Sequence, residues 1–433
     1  MLTTAQIVSI VVFVIVMALV VSEKIHRAVA ALAGAMVILV ITAVTATGDN
    51  PIQVLTFEQG LESIDFNTLA VLCGMMLFVG VVKISGLFEF VAIKSAKICK
   101  GDPWKIMVAF AIITAVFSAF LDNVTTILLM GPMTIMLCRT LKIDATPFLL
   151  VEILSSNIGG TATLIGDPPN IMIGSAAGLT FFDFIRYDGP IVVVIMVVVL
   201  VLFRFMYGRK LHVEAEDMQA VMELSEEEAI KDKGLFRLSV VMIALVTVAF
   251  MAHGALHLES GVIALTAAAV ILFISRADLE EVVHDVEWST IGFFLGLFMV
   301  VGGMEHTGVI TMIGNWMVDI TGGDVVLLMI VLLWGSAILS AILDNIPFVA
   351  TMIPIIGVMA ANGVDVFPMW WAISLGACLG GNGTLVGASA NVVLSSIANR
   401  EGYPISFMGF TKVGFPIMLV TIAISTVYLL VIF

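Results

Sequence analysis

The chain has 433 residues, of which 61% are hydrophobic and only 12% are charged, and its formal net charge is −14. A soluble globular chain carries roughly 25% charged residues, so this composition excludes an ordinary soluble domain and predicts a polytopic membrane protein. The negative charge argues against nucleic-acid binding. The four cysteines are scattered, with neither metal-ligand spacing nor an obvious disulfide pattern.

Apolar runs of the length needed to cross a hydrocarbon core of about 30 Å recur along the whole chain. We expect the first run to be a retained helix, because no basic segment precedes it and no small-residue cleavage site follows it. An acidic segment at 209–235 divides the chain into halves, 1–208 and 236–433, and is interpreted as a solvated cytoplasmic linker. The runs lie at 5–22, 28–46, 67–86, 105–121, 124–138, 147–177, 190–206, 236–253, 259–275, 290–304, 325–343, 346–361, 368–397 and 414–433.

The two halves contain the same motifs in the same order. Ser-Ala-Phe-Leu-Asp-Asn ends at Asn123 and Ser-Ala-Ile-Leu-Asp-Asn ends at Asn345, and a proline follows each asparagine nine residues later. Gly-x-x-Thr-Leu-Ile-Gly, which begins at Gly160, matches Gly-x-x-Thr-Leu-Val-Gly, which begins at Gly381. Matches that keep their order over almost the whole chain indicate a duplication, because chance apolar similarity would not preserve order.

Basic residues predict the orientation, because cytoplasmic segments of membrane proteins are enriched in Lys and Arg. With the N-terminus outside and each Leu-Asp-Asn stretch at the tip of a re-entrant hairpin, all 19 basic residues except Lys83 and Arg186 lie on the cytoplasmic side. That cytoplasmic set includes Arg27 and the linker residues Arg209 and Lys210. Two membrane-spanning runs would give the same charge distribution, but the shortness of the run 124–138 and the polar tips favour hairpins.

The predicted fold is an all-α polytopic membrane protein with two inverted repeats. Each repeat has about five transmembrane helices, one of them discontinuous, plus a re-entrant helical hairpin. The hairpins lie at about 105–138 and 325–361, and the discontinuous helices at about 147–177 and 368–397. Five crossings invert the second repeat and leave both termini outside, and inverted repeats are typical of secondary transporters.

The interrupted runs are the stretches best suited to binding an ion. Gly159 and Gly160 loosen the first of them, and Pro168 and Pro169 remove two backbone donors. Non-helical backbone at membrane depth survives only where protein or a water-filled cavity covers it. We therefore expect these breaks to present carbonyl groups and half-helix ends to an ion.

We predict a site in two parts, in which the acid and amide of each hairpin tip face the break of the same half. Oxygen ligands of this kind suit Na⁺, and a buried carboxylate suits a proton. Helix capping by both tip aspartates stays open as an alternative. The first part consists of Asp122, Asn123, Thr126, Asn157, Gly160, Thr161, Thr163, Asp167 and Asn170. The second part consists of Asp344, Asn345, Gly381, Asn382, Thr384 and Asn391.

Differences between the halves indicate which residues distinguish two transported species. Asp167 has Ala388 as its counterpart, so Asp167 is our candidate proton carrier. Glu152 has Ile373 as its counterpart and is interpreted as the buried partner of a hydroxyl group. The motif stretches contain no Lys or Arg, which argues against a multiply charged anion as the substrate.

These motifs resemble those of the ion transporter superfamily, in the branch of ArsB/NhaD permeases, which is distantly related to the divalent anion/Na⁺ symporters. The resemblance rests on Gly159–Asn170, on Gly380–Asn391 and on Leu-Asp-Asn with its downstream proline, and it covers roughly residues 20–430. It implies a homodimer, a fixed and a moving part, and elevator-like transport. For an arsenite pump, a cytoplasmic ATPase partner is also expected.

In the carboxylate-transporting relatives, the hairpin tips read Ser-Asn-Thr and bind Na⁺ and substrate. Here the tips carry Asp-Asn, which favours export of an ion or metalloid over carboxylate transport. If Na⁺ binds, the resemblance places it at Asn123, Gly160, Asn345 and Gly381.

The sequence thus predicts a secondary active transporter of the cell (inner) membrane that exports arsenite, antimonite or a small cation in exchange for protons. Na⁺/H⁺ antiport is the main alternative, followed by Na⁺-coupled carboxylate transport and a passive channel. No cofactor is expected beyond Na⁺ or H⁺ as the coupling ion. An enzyme is not expected, because Leu164–Asp167 does not match the Gly-x-Gly-Asp motif of intramembrane aspartyl proteases.

Overall fold

The computed structural model describes residues 2–22, 24–48, 50–208, 211 and 213–433. Helices account for all the regular structure in these ranges, and Arg209 and Lys210 of the predicted cytoplasmic set lie outside them. The described helices are α1 Thr4–Ser22, α2 Arg27–Thr45, α3 Phe57–Glu62, α4 Phe66–Ile84, α5 Leu87–Ile98, α6 Pro103–Phe120, α7 Asn123–Thr140, α8 Thr146–Thr161, α9 Pro168–Ala177, α10 Phe181–Tyr187, α11 Gly189–Tyr207, α12 Ala215–Glu223, α13 Lys233–Leu256, α14 Ser260–Ser275, α15 Leu279–His284, α16 Trp288–His306, α17 Val309–Thr321, α18 Val325–Ile342, α19 Asn345–Ala361, α20 Phe367–Gly380, α21 Ser389–Arg400 and α22 Phe407–Ile432.

Many of these helices are long and apolar enough to cross a membrane. Within the described residues, nine have at least 18 residues and the required hydropathy, namely α1, α2, α4, α6, α11, α13, α16, α18 and α22. The shorter helices α14, α17, α19 and α20 are also apolar. The prediction of an all-α polytopic membrane protein is therefore confirmed.

The duplication extends to the order of the helices. Helices α1 to α9 correspond one by one to α13 to α21, and α10 with α11 corresponds to the single long helix α22. Thr180 caps α10 and Ser406 caps α22 through equivalent side-chain oxygens. The repeated motifs therefore occupy equivalent structural positions.

Long helices pack in pairs, and each pair joins one helix of the first half to one helix of the second half. Helix α4 packs mainly on α14, and α16 packs mainly on α2. A Cβ atom on Gly74 would lie 2.5 Å from the carbonyl carbon of Ala264, and one on Gly296 would lie 2.4 Å from that of Ala31. These glycines allow the close approach that membrane helices use for packing. We call α1–α4 with α13–α16 the paired-helix unit.

The hairpins and the broken helices form the second body, which we call the hairpin unit: α6–α9 and α18–α21. Helices α6 and α7 form one hairpin, and α18 and α19 form the other. Helix α7 has 18 residues, which span about 27 Å, so it is longer than the apolar run 124–138 indicated. The shortness of that run is therefore no support for a re-entrant hairpin, and the polar tips remain as support.

The predicted helix breaks are present in both halves. Helix α8 ends at Thr161 and α9 begins at Pro168, while α20 ends at Gly380 and α21 begins at Ser389. The prediction that Gly159 and Gly160 loosen the helix is wrong, because both lie inside α8. A Cβ atom on Gly159 would lie 2.1 Å from the carbonyl oxygen of Ala115, so this glycine serves the packing of α8 on α6.

The acidic linker docks on the hairpin unit and on α5, so it is not simply the solvated bridge that we predicted. The Lys97 ammonium lies 2.5 Å from the Glu226 carboxylate, and that of Lys142 lies 2.8 Å from Asp217. Val221 of α12 is fully buried. The second half also begins slightly earlier than predicted, because α13 starts at Lys233.

Candidate functional site

In each half, two hydroxyl groups fasten the hairpin to the broken helix. Ser118 and Ser340 each donate at 2.6 Å to a carbonyl oxygen of the helix before the break. Thr163 and Thr384, which lie in the breaks, donate back to the hairpin carbonyls of Ala119 and Ala341. The two predicted site threonines therefore hold the tip against the break of the same half.

Two asparagines close the breaks from inside. The Asn170 amide nitrogen lies within 3.3 Å of three carbonyl oxygens, those of Gly160, Thr161 and Thr163. The Asn391 amide nitrogen lies within 2.9 Å of two, those of Gly381 and Thr384. The break carbonyls are therefore less exposed than predicted, although each keeps a second lone pair that an ion could use.

A buried asparagine cluster joins the two halves. The Asn157 amide nitrogen lies 3.0 Å from the side-chain oxygens of both Asn382 and Asn391. The Asn157 side-chain oxygen accepts from Asn123 at 3.3 Å, and the Thr161 hydroxyl donates to the Asn157 backbone carbonyl. All of these side chains are buried. The cluster places the first tip and both breaks in one network.

Two predicted site groups lack a hydrogen-bond partner within the described part of the chain. They are the amide nitrogen of Asn382 and the hydroxyl of Thr126, and both are buried. An unpaired buried polar group costs free energy unless water or a ligand satisfies it. These two groups are therefore suited to contact a bound molecule.

Both tip aspartates stand at helix N-caps, but only the second has an ion-pair partner. Asp122 accepts from the Thr125 backbone amide at 2.8 Å and from the Thr125 hydroxyl, so it caps α7. Asp344 accepts from the Ile346 backbone amide at 3.4 Å, so it caps α19. Asp344 also accepts from Arg27 at 2.6 Å and from the Ser389 hydroxyl at 2.9 Å. Both tips thus end in a helix cap, which agrees with the capping alternative, and the second tip adds an ion pair.

Arg27 is the main functional candidate that the sequence analysis missed. It begins α2 in the paired-helix unit, and its guanidinium also donates to the Thr290 hydroxyl at 3.0 Å. Thr290 in turn donates to Glu287 at 2.8 Å. The sequence analysis left Arg27 outside the predicted site, because it searched the motif stretches, which contain no cation, whereas the fold brings Arg27 from α2 to the second tip. Its counterpart at the start of α14 is Ser260, a difference that could have drawn attention to it.

The tips and the first break line a small cavity of about 20 Å³. Three carboxylates line it, those of Asp122, Asp167 and Glu287. The Asn345 amide nitrogen lies 3.3 Å from both Asp167 oxygens. We predict from the sequence that each tip faces the break of its own half, but the second tip also reaches the first break. A cavity needs roughly 10–15 Å³ to hold one water molecule, so this one holds a single small species.

A second, more open cavity of about 300 Å³ lies beside the small one. Its lining includes His26 and Asp344, and Arg27 and Ser389 line both cavities. Arg27 therefore lies between the larger cavity, which we call the vestibule, and the small acidic cavity. With Asp344 included, four carboxylates face one guanidinium, which gives a net charge of −3 when all five groups are ionised.

Two further carboxylates, those of Glu152 and Asp188, are fully buried and are not in the lining of either cavity. Glu152 accepts from the Thr134 hydroxyl, which agrees with our interpretation of it as the partner of a hydroxyl. Asp188, which the sequence analysis did not select, accepts from Ser374 at 2.6 Å. Cys378 is fully buried beside Asn170 and does not line either cavity.

Comparison with known proteins defines the class: the chain is a multi-pass membrane transporter. The sequence profile of the family described as CitMHS, citrate transporter, matches residues 17–376. The chain belongs to this family, and the resemblance to the ion transporter superfamily is confirmed.

Relatives extend over nearly the whole chain. The chain is 40% identical over 427 residues to an uncharacterized transporter of Mycobacterium bovis, covering 98% of each protein. It is 32% identical to the P protein of Homo sapiens, covering 96% of this chain and 58% of that protein. The crystal structure of the Alcanivorax borkumensis YdaH transporter matches with a TM-score of 0.63, covering 94% of this chain and 98% of that one. At 14% sequence identity, the YdaH match supports the fold alone.

Proposed function

We propose that the chain is a secondary active transporter that exchanges a small cation for protons. The observation that carries this proposal is the small acidic cavity between the tips, which has room for one small species and is lined by Asp122, Asp167 and Glu287. Carboxylates that line one small cavity oppose one another's ionisation, so a cation or a proton stabilises the group. Cation and proton then compete for the same oxygens, which is the basis of exchange.

Asp167 is the proposed proton carrier, and it is well placed for that role. It is 1% exposed, lines the cavity, and is contacted by the Asn345 amide from the opposite half. A neutral amide leaves the charge of Asp167 uncompensated, unlike Asp344, which has Arg27. An uncompensated carboxylate responds more strongly to an arriving cation or proton.

Elevator-like movement is supported by a difference between α9 and α21, because these equivalent helices contact the paired-helix unit at non-equivalent positions. In the first half, Asp65 of the paired-helix unit accepts from Ser175 of α9 at 3.1 Å. At the symmetry-related place, where α2 packs on α16, Arg27 donates at 2.5 Å to Ser389, the first residue of α21 in the second half. Ser389 corresponds to Pro168, seven residues before Ser175, which is roughly 10 Å along a helix.

The hairpin unit is therefore displaced from the symmetric position relative to the paired-helix unit. If each half instead made the contacts that its counterpart makes here, the hairpin unit would lie at the opposite end of the movement. Ser396, the counterpart of Ser175, is exposed here, and among the described residues its hydroxyl bonds only to the Val392 carbonyl of its own helix. In the opposite state we expect Ser396 to approach Glu287 and Asp344 to separate from Arg27.

A carboxylate substrate is the second candidate, because Arg27 supplies the cation that the motif stretches lack and the family is described as citrate transporters. The 20 Å³ cavity cannot hold a tricarboxylate, so such a substrate would bind in the 300 Å³ vestibule beside Arg27. Arsenite and antimonite export stays a prediction from the motifs. Cys378 gives it no support, since its thiol lines neither cavity.

The test is solute movement in proteoliposomes under an imposed pH gradient. We expect Na⁺ or Li⁺ to dissipate the gradient and to move with a fixed proton ratio, and arsenite and citrate to be inactive. Citrate uptake driven by Na⁺ would favour the second candidate, and arsenite export would favour the metalloid exporter. Currents far above carrier rates that ignore the pH gradient would identify a passive channel.

Assembly and location are part of the same proposal. We propose a homodimer in the cell membrane, with both termini outside. Mass measurement of the protein in native lipid nanodiscs tests the dimer, and labelling of a terminal tag on intact cells tests the orientation. A cytoplasmic ATPase partner applies only if arsenite proves to be the substrate.

A further inference from the structure

Asp188 is a fully buried carboxylate that no part of the proposed exchange site uses. It lies at the junction of α10 and α11, and one of its oxygens accepts from the Ser374 hydroxyl at 2.6 Å. Its other oxygen is buried and has no hydrogen-bond partner among the described residues. Within the described part of the chain, Asp188 makes no capping bond to α11 although it stands at the cap position. Helix capping therefore does not explain it.

Ser374 connects Asp188 to the first break. The Ser374 oxygen also lies 2.8 Å from the side-chain oxygen of Asn170. The three carbonyl contacts of the Asn170 amide nitrogen fix that side chain, so its oxygen has to face Ser374. A hydroxyl has one hydrogen, so Ser374 donates either to Asp188 or to Asn170 but never to both.

The same asparagine leads toward Asp167. The Asn170 backbone amide donates to the Asp167 backbone carbonyl at 2.9 Å, and the Asn170 side-chain oxygen lies 3.6 Å from the Cys378 sulfur. Ser374 and Asn170 thus form a continuous buried connection, with Asp188 at one end and the backbone of Asp167 at the other. Two titratable groups lie close to this connection: Cys378 on α20, which contacts Asn170, and Tyr428 on α22, whose hydroxyl donates to the Tyr187 carbonyl next to Asp188 at 2.6 Å.

Both end residues occur in one half only. Asp167 has Ala388 as its counterpart, and Asp188 has Gly414, at the same spacing that relates Pro190 to Pro416. The second half keeps the hairpin, the break and the closing asparagine without either acid. The two acids are therefore not required to build this architecture, and a shared functional role explains why they occur together.

We propose that Asp188 is a second proton-binding residue, linked through Ser374 and Asn170 to the break that carries Asp167. When Asp188 is ionised, Ser374 donates to it. When a proton is added to an Asp188 oxygen, Asp188 donates to Ser374, and the Ser374 hydrogen turns to Asn170. One O–H bond forms, one hydrogen bond changes partner, and no other bond is altered.

This proposal rests on the proposed proton coupling, because it gives the exchange a second proton site. Asn170 is the connection, since it closes the break through its amide nitrogen and receives the Ser374 hydrogen on its oxygen. Protonation of Asp188 therefore changes the bonding of the residue that shapes the cation site. Asp188 is a positioning residue for that site, because it does not line the cavity.

Two readouts separate this proposal from the proposed function. The first is the infrared difference spectrum of the purified full chain between alkaline and acidic buffer, which detects carboxyl protonation without any transport. We expect Asp188→Asn to remove one protonated-carboxyl band. Asp183→Asn is the matched control, since Asp183 caps α10 in the same segment and is half-buried. The Asp183→Asn variant should keep the band that Asp188→Asn removes.

The second readout is the pH profile of cation exchange in proteoliposomes. We expect Asp188→Asn and Ser374→Ala to shift the profile in the same way, while Asp183→Asn keeps the wild-type profile. A band that survives Asp188→Asn in protein with a wild-type melting temperature would overturn the proposal. So would a Ser374→Ala profile identical to wild type. A wild-type chain that shows the Asp188 band but exchanges no cation would instead refute the proposed function alone.

Discussion

The guanidinium of Arg27 lies 2.6 Å from the carboxylate of Asp344, although 317 residues separate them. The side chains are 22% and 11% exposed, so the pair is largely withdrawn from water. Arg27 belongs to the paired-helix unit and Asp344 to the tip of the second hairpin. This ion pair therefore connects the two bodies that the proposed movement separates.

Removing one member of this pair should cost more than removing both. Arg27→Gln leaves Asp344 without its cation, and we expect a loss of about 2 kcal/mol, below the roughly 3–5 kcal/mol of a fully buried pair. Asp344→Asn combined with Arg27→Gln should recover part of that loss. Thermal unfolding of the single and double variants in detergent measures the coupling. Additive losses would show that the two side chains do not interact.

Asp122→Asn separates the charge of the first tip from its capping role. Asparagine caps a helix about as well as aspartate, so we expect a near-normal melting temperature. Exchange should nevertheless be lost, because the cavity loses one of its carboxylates. Asp122→Ala is the comparison, and it should cost about 1 kcal/mol of stability in addition. Normal exchange by Asp122→Asn would reduce this residue to a cap.

The displaced hairpin unit predicts a cross-link that stops transport. The Asn67 amide nitrogen lies 3.4 Å from the Ser175 hydroxyl, across the contact between the two bodies. A short bifunctional thiol reagent should join Asn67→Cys to Ser175→Cys and abolish exchange. Each single variant treated with the same reagent is the control, because four native cysteines are also present. Undiminished transport by the cross-linked protein would contradict the movement.

The docked linker predicts sensitivity to salt and to strong acid. Hydrogen bonding from Lys97 holds the pKa of Glu226 below its ordinary value. The contact is therefore fully present above the ordinary glutamate pKa and is lost as the pH falls through the lowered value. Salt also screens this pair, because both side chains are only partly buried. Limited proteolysis within 213–232 should accelerate at high salt, and a Glu226→Gln variant should be cleaved at the faster rate already at low salt.

Much of the architecture could be predicted from the sequence because its signals are local. Apolar runs, the Leu-Asp-Asn tips and the prolines at 168 and 169 each act on neighbouring backbone, and the repeat shows them twice. The helix breaks therefore lie where they were expected. The run 124–138 gave too short a helix, because Asn123 and the polar residues after Cys138 continue α7 without adding hydropathy.

The contacts across the site could not be predicted in the same way. Arg27 reaches Asp344, and Asn345 reaches Asp167, through the exchanged packing of the two halves, and no local pattern records such packing. Symmetry of the motifs also suggested symmetric roles for the tip acids. The lone arginine on α2 breaks that symmetry, because α14 begins with Ser260 at the equivalent position.

The central claim is that Asp167 couples cation movement to protons in the small acidic cavity. The most direct measurement is Na⁺-induced dissipation of a pH gradient in proteoliposomes, recorded over a range of pH for the wild-type chain and for Asp167→Asn. We predict Na⁺-dependent proton movement by the wild type and its loss in Asp167→Asn, with the variant still folded and inserted. Proton-coupled exchange by Asp167→Asn with the wild-type pH profile would contradict the account.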